Sequence, residues 1–274
     1  MTEGLDLAAY LDRVGIGGAP APDLAALQRL HEAHVRTFTF DNIDVLLEQH
    51  PGVELADVQA KFVGRGRGGY CFEHATLFAA VLDSVGFDVE RRLARVGDVT
   101  AAARTHCVVT ARIDGTRWLC DPGFGHSLLH PIRLEDGAEE DFGGWSFRVC
   151  RMDRGASGAT WELQRHRDGA WELMHTTDEL PVQQVDLRAG HHFTSTYPTS
   201  HFRHGLMFTR HLPGRHVAVT HEGVTVRRPG EPTEHHDLSK GELEALLTEL
   251  RVGLTDDETE RLLAVVGQLR TQSP

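Results

Sequence analysis

Arg65-Gly66-Arg67-Gly68-Gly69-Tyr70-Cys71-Phe72-Glu73-His74 is the stretch on which the reading of this chain turns. Just after it, Phe72, Ala75, Phe78, Ala79 and Leu82 recur at i, i+3, i+4 spacing, and Gly86 stands where a left-handed C-cap would close the helix. Cys71 therefore heads a helix. Partial positive charge at a helix N-terminus favours thiolate over thiol, and a nearby imidazolium would favour it further, so a cysteine there reads as an activated nucleophile. The competing reading is a buried, inert cysteine, the usual fate of a free thiol. Gly64-x-Gly66-x-x-Gly69 also has the form of a dinucleotide fingerprint, with Glu90 at the spacing of a ribose-binding acid. That fingerprint follows a strand, whereas Val58 to Phe62 has the spacing of a helix end, so the match is set aside. The glycines instead read as a close backbone approach to a reacting carbonyl and a sharp turn into the helix.

Upstream, Leu24, Leu27, Leu30 and Ala33-His34 form another helical stripe, so the first third of the chain reads as helical. From Val89 to about Val226 the pattern changes to short β-branched and aromatic runs broken by turn dipeptides: Asp114-Gly115, Asp168-Gly169 and Glu222-Gly223. The last 40 residues return to helix, with capping boxes at Ser239-x-x-Glu242 and Thr255-x-x-Glu258. One hairpin fixes a register. If Asp114-Gly115 is a two-residue loop, Ile113 faces Thr116, cross-strand partners sum to 229 and Asp121 faces Val108. His106 is then the diagonal neighbour of Asp121 on the same face, about 7–8 Å away along the backbone and close enough for a carboxylate to orient an imidazole. A slip by one residue would separate them. A carboxylate that fixes a histidine, beside a thiol at a helix head, is the logic of a Cys71–His106–Asp121 triad.

Composition excludes several other classes. The 274 residues carry 40% hydrophobic and 25% charged side chains, as a globular chain does, and the formal charge of −12 opposes nucleic acid or an anionic membrane. The N-terminus lacks a basic and an apolar region of leader type, and no 18-residue apolar stretch occurs, so a cytoplasmic protein is expected. The four cysteines form no C-x-x-C pair, and the 18 histidines form no H-E-x-x-H, so neither a disulfide scaffold nor a metal site is expected.

These segments resemble the arylamine N-acetyltransferase family, which carries an R-R-G-G-x-C-x-E motif, a following R-T-H strand and a D-x-G-F-G loop. The resemblance continues through Tyr10-Leu11-Asp12-Arg13-Val14-Gly15, Leu30-His31-Glu32-Ala33-His34, Phe40-Asp41-Asn42-Ile43-Asp44 and Ser195-Thr196-Tyr197-Pro198-Thr199-Ser200-His201-Phe202. It implies an α+β fold with a cysteine-protease-like core: a helical N-terminal domain (1–88) carrying the nucleophile, a central β-barrel (89–200) carrying His106 and Asp121, and a C-terminal α/β lid (201–274). It also implies acetyl-coenzyme A as cosubstrate, with no tightly bound cofactor, and arylamines, hydrazines or related amines as acceptors of a ping-pong transfer. Tyr70, Phe40, Phe124, Gly125 and Phe202 then line the substrate site, Phe124 beside the acceptor and Phe202 near coenzyme A. The chain would act as a monomer or homodimer.

The sequence departs from the family pattern in places. Gly66 replaces the first arginine of R-R-G-G, Asp41 the glutamate of F-E-N, and His74-Ala75 a Gln-Asn pair; Pro122 precedes, and His126 follows, Gly123-Phe124-Gly125. Arg67 is expected to pair with Asp41. Two other functions keep the same triad or its remnant: an amide synthase that closes or releases a polyketide chain, and an inactive homologue retained for binding.

Overall fold

The computed structural model describes residues 2–153 and 158–272. Its first part is helical, with α1 (Leu7–Val14), α2 (Leu24–Thr37), the short β1 (Phe40–Asp41), α3 (Ile43–Leu46), α4 (Leu55–Gln59) and α5 (Cys71–Val85). Between α4 and α5 the chain passes through a π-helical turn, Ala60–Gly64, so the segment before the glycines is helical, as its spacing indicates. Every residue of α5 from Cys71 to Leu82 is buried. A helix apolar on all sides belongs in a core, and Phe72 and Phe78, both fully buried, each contribute about 1.5–3 kcal/mol relative to exposure. Gly86 closes it at φ 106°, a conformation only glycine adopts without strain.

Next come β2 (Asp88–Val96), β3 (His106–Ile113), β4 (Thr116–Cys120), β5 (Ile132–Arg133), β6 (Glu139–Asp141), β7 (Ser146–Asp153), β8 (Ala159–Arg167) and β9 (Ala170–Asp178). They make one antiparallel sheet in the order β5-β4-β3-β2-β9-β8-β7-β6, whose end strand β5 curls against β7 to give a nearly closed barrel. Ile113 pairs with Thr116 and Val109 with Cys120, the register that the Asp114-Gly115 loop dictates. Both loop residues have positive φ, as do Asp168 and Gly169 in the β8–β9 hairpin. Side-chain alternation along β3 then sorts two cores. Cys107, Val109 and Ala111 pack with α5 and α2, while Val108 packs inside the barrel with Leu119, Phe147, Val149 and Leu163. His106 shares the face of Val108.

After the barrel lie α6 (Gln184–Thr196), then β10 (Met207–Leu212), β11 (Arg215–Thr220), β12 (Gly223–Arg227) and β13 (Glu234–Asp237), followed by α7 (Glu242–Glu249) and α8 (Asp256–Gln272). The second sheet runs β1-β10-β11-β12-β13, so Phe40–Asp41 pairs with a strand about 170 residues later. Its apolar cluster joins Ile43, Leu46 and Leu47 to the two last helices. Two expectations need correcting. The span Val89–Val226 is not β throughout, because α6 interrupts it; its Leu187 and Gly190 are buried, the latter where a Cβ would lie 2.6 Å from the ring of Phe72. The β11–β12 turn sits on His221-Glu222 rather than Glu222-Gly223, because Thr220 Oγ1 accepts from the backbone N–H groups of Glu222 (3.2 Å) and Gly223 (3.1 Å). Among the described residues no helix is long and apolar enough to cross a membrane.

Candidate active site

The glycines before Cys71 are required by close approach. A Cβ on Gly68 would lie 1.9 Å from the Thr39 carbonyl oxygen, and one on Gly69 would lie 2.1 Å from Glu73 Oε2. Gly69 N–H donates to the Thr39 carbonyl (3.2 Å) and its own carbonyl accepts from Asp41 N–H (2.7 Å), so the loop runs against β1. Glu73 Oε2 accepts the Tyr70 N–H at 3.1 Å and caps the helix start. The approach expected to serve a reacting carbonyl is thus made to the protein's own strand.

On the other side the loop after β4 closes down. A Cβ on Gly123 would lie 2.8 Å from His74 Cβ and 2.9 Å from Cys71 Cα. Gly123→Ala is therefore expected to push α5 and the loop apart, costing about 1–3 kcal/mol in urea unfolding and slowing chemistry at Cys71. Wild-type values for both would show that the contact is slack.

His106 and Asp121 meet as the register requires: His106 Nε2–H donates to the Asp121 carboxylate, at 3.1 Å from Oδ1 and 3.2 Å from Oδ2. Both side chains are buried. Burial opposes ionisation of Asp121, but His106 and then His175 outweigh it and hold the carboxyl well below its ordinary value. With Nε2–H committed to Asp121, Nδ1 is the nitrogen left as a base. Phe124 stands edge-on to His106, with ring centroids 5.2 Å apart.

Cys71 is only 3% exposed, and its Sγ donates to the Thr105 carbonyl at 3.5 Å. Burial, then Cys107, pushes the thiol well above its ordinary value, with Asp121 adding to the rise; backbone N–H groups of Cys107 and Phe72 pull the other way without prevailing. Desolvation of a buried anion opposes the helix-end field that favours the thiolate.

His175 of β9 was not singled out in the sequence. Its Nε2–H donates to Asp121 Oδ2 at 3.1 Å, so the carboxylate carries two imidazoles. His106, Asp121 and His175 are also the group of metal-ligand type among the described residues, but their separations are those of hydrogen bonds. No local pattern marks His175, which lies 54 residues from its partner.

A family model described as N-acetyltransferase matches residues 23–258. The arylamine N-acetyltransferase of Mycolicibacterium smegmatis is 37% identical over 241 residues, covering 81% of this chain and 84% of the relative. The chain belongs to the arylamine N-acetyltransferase family. The solved structure of the family member from Mycobacterium abscessus, 32% identical, matches with a TM-score of 0.90 over 97% of this chain and 96% of that one. The enzyme from Mycobacterium marinum, solved in complex with CoA, is 31% identical and matches at 0.87 over 96% and 99%. The protein is an acetyltransferase with the α+β, cysteine-protease-like architecture of these enzymes.

Three of the departures from the family pattern, Asp41, His74 and His126, have local accounts. Asp41 does not pair with Arg67: its carboxylate accepts from Thr39 Oγ1 (2.7 Å) and Ile43 N–H (3.2 Å). The fully buried Arg67 pairs instead with Asp44 and reaches Glu258 of α8 at 3.3 Å. Lys61 joins Asp44 (2.9 Å) to Glu73 (2.7 Å), so the cap of α5 belongs to the same buried ion network. His74 completes a relay in which Tyr10 O–H donates to His34 Nδ1 (3.0 Å), His34 Nε2–H to His74 Nδ1 (2.9 Å) and His74 Nε2–H to the Thr39 carbonyl (3.1 Å). The terminal carbonyl can only accept, which fixes every tautomer in the chain. His126 is buried against His216 and His211, at 4.5 and 5.3 Å between rings.

The residues assigned to substrate fall into two groups. Phe40, Tyr70 and Phe202 cluster, with Phe202 5.4 Å from Tyr70 and 6.4 Å from Phe40. Gly125, at φ +94°, lies against Phe40, where its Cβ would be 3.4 Å from the ring. Phe124 turns instead to His106 and His175. A cavity of about 630 Å³ is lined by Glu54, Thr76, Arg91 and Gln184, among others, and by none of these residues.

Proposed function

We propose that this acetyltransferase works by a ping-pong mechanism through a Cys71 thioester, with acetyl-coenzyme A as donor and arylamines, hydrazines or related amines as acceptors. The supporting observation is that Asp121 holds His106 by Nε2–H, beside a loop in which Gly123 packs onto the first turn of α5 at Cys71. The CoA complex of the Mycobacterium marinum relative supports the donor. Cys71 leaves the Thr105 carbonyl, and His106 Nδ1 accepts its proton as sulfur adds to the acetyl carbonyl. Collapse of the tetrahedral intermediate breaks the bond to the coenzyme sulfur, which leaves with the proton. The amine then attacks the acetyl-Cys71 carbonyl, passing its proton through His106 to the departing Cys71 sulfur. Backbone N–H groups near Cys71 stabilise the oxyanion in both halves. Phe40, Tyr70, Gly125 and Phe202 line the donor and acceptor path, and Phe124 sets the acceptor beside His106. The protein acts in the cytoplasm as a monomer or homodimer, its three units meeting near residues 88 and 200, with no tightly bound cofactor.

Intact-protein mass spectrometry with a panel of acyl-coenzyme A thioesters tests this reading. One acetyl group should appear on Cys71 and leave when an aniline or hydrazine is added. Labelling only by a carrier-protein thioester would favour an amide synthase, and no adduct with any thioester would favour an inactive binding homologue.

A further inference from the structure

Asp121 has two carboxylate oxygens and two imidazole donors, and the second imidazole is placed by a defect in the barrel. Along β8–β9, Gln164 pairs with Leu173 but Leu163 pairs with His175, so Met174 is an extra residue in a β-bulge. Without that bulge Leu163 would face Met174, and the side chain of His175 would turn to the other face of the strand. With it, His175 points inward with Leu163, fully buried, and reaches Asp121 Oδ2 at 3.1 Å. Its other nitrogen, Nδ1, lies 3.3 Å from Thr177 Oγ1, which donates to it and so fixes the tautomer with the proton on Nε2.

We propose that His175 is a positioning residue of the active centre. It holds Oδ2 so that the carboxylate plane of Asp121 is locked with Oδ1 on His106 Nε2, which aims His106 Nδ1 at the sulfur of Cys71. His106 Nε2–H alone is shared almost equally between the two oxygens and leaves the carboxylate free to turn about χ2; once His175 also holds Oδ2, it cannot turn without breaking a buried hydrogen bond. The titratable groups around Asp121 are His106, His175, Cys71, Cys107, Cys120 and His31, and of these only the two histidines just named bond to it directly. The ring of Phe124, 5.8 Å from that of His175, closes the remaining side. The proposal rests on the triad reading above, so its test needs no acyl donor.

The rate of Cys71 carboxamidomethylation by iodoacetamide is measured against pH by peptide mapping in the wild type, His175→Phe, His175→Gln and Thr177→Val. His175→Phe keeps a ring but removes the donor; a loosened Asp121 lets His106 drift from the sulfur, and the thiol loses the imidazole that takes its proton. Alkylation at neutral pH should fall about tenfold, its midpoint moving up by about one pH unit. Gln places an amide N–H near the position of imidazole Nε2 and should recover the rate to within about threefold of wild type, against the same scale. Thr177→Val, which frees the tautomer without touching Asp121, should shift the midpoint in the same direction by less, and it decides the matter if His175→Phe does not fold. Unchanged midpoints in folded His175→Phe and Thr177→Val would overturn the proposal, as would equal losses in the Phe and Gln variants that follow their thermal stability. Failure of the acetyl-transfer reading would show differently, as absence of an acetyl adduct on wild-type Cys71.

Discussion

Cys71→Ser is expected to abolish acetyl transfer while leaving the fold in place. The side chain is buried at the first position of α5 and the Thr105 carbonyl, to which it donates, accepts equally from a hydroxyl, so the substitution removes no packing of consequence. What it removes is acidity. Burial already pushes the thiol well above its ordinary value. A hydroxyl starts from an intrinsic acidity far weaker still than the thiol's value of about 8.5 and cannot be ionised by a histidine. Transfer from acetyl-coenzyme A to an arylamine should drop below detection, no acyl adduct should appear in the mass spectrum, and the thermal midpoint should move by only a few degrees. A variant that still turns over would move the nucleophile to another residue.

Asp121→Asn should slow acylation of Cys71 by at least about a hundredfold; the same exchange in a serine triad costs about 10⁴ in rate. The structure sharpens the reason. Asp121 accepts two N–H bonds, from His106 and from His175, at 3.1 Å each. An asparagine offers one carbonyl oxygen, and its NH₂ would confront an N–H of the same sign. One imidazole must therefore turn or change tautomer. If it is His106, the proton moves to Nδ1, and the nitrogen that should take the thiol proton is already occupied. If it is His175, the amide still cannot balance an imidazolium. The buried mismatch should also cost about 1–3 kcal/mol of stability, read from urea unfolding. Near-normal acylation by a folded variant would remove Asp121 from the proposed chemistry.

Much of this site was readable from local pattern because hairpins are local objects. The two-residue loop Asp114-Gly115 sets the pairing of Ile113 with Thr116, and side-chain alternation then carries His106 and Asp121 to one face without any knowledge of the rest of the molecule. The stripe from Phe72 to Leu82 and the stop at Gly86 place Cys71 at a helix head in the same way, since three or four residues of spacing suffice. Periodicity was a poorer guide to α6, whose face toward the core offers few large side chains; Gly190 sits there because the ring of Phe72 leaves no room for more.

By itself, then, the amino-acid sequence determined the helix that Cys71 begins, the strand pairing that joins His106 to Asp121, and a set of motifs specific enough to identify the family. Only the tertiary structure decided that Arg67 pairs with Asp44 instead of Asp41, that β1 joins a sheet built from Met207 onward, that His175 reaches Asp121, and that Cys71 is buried. The division has a physical origin. Helix and hairpin geometry depend on separations of a few residues, which the sequence states directly. Burial and long-range partners depend on which surfaces close on one another: a bulge at Met174 turns one histidine inward, Asp44 and Glu258 close on one arginine from two distant elements, and the exclusion of water around Cys71 opposes the field of its own helix.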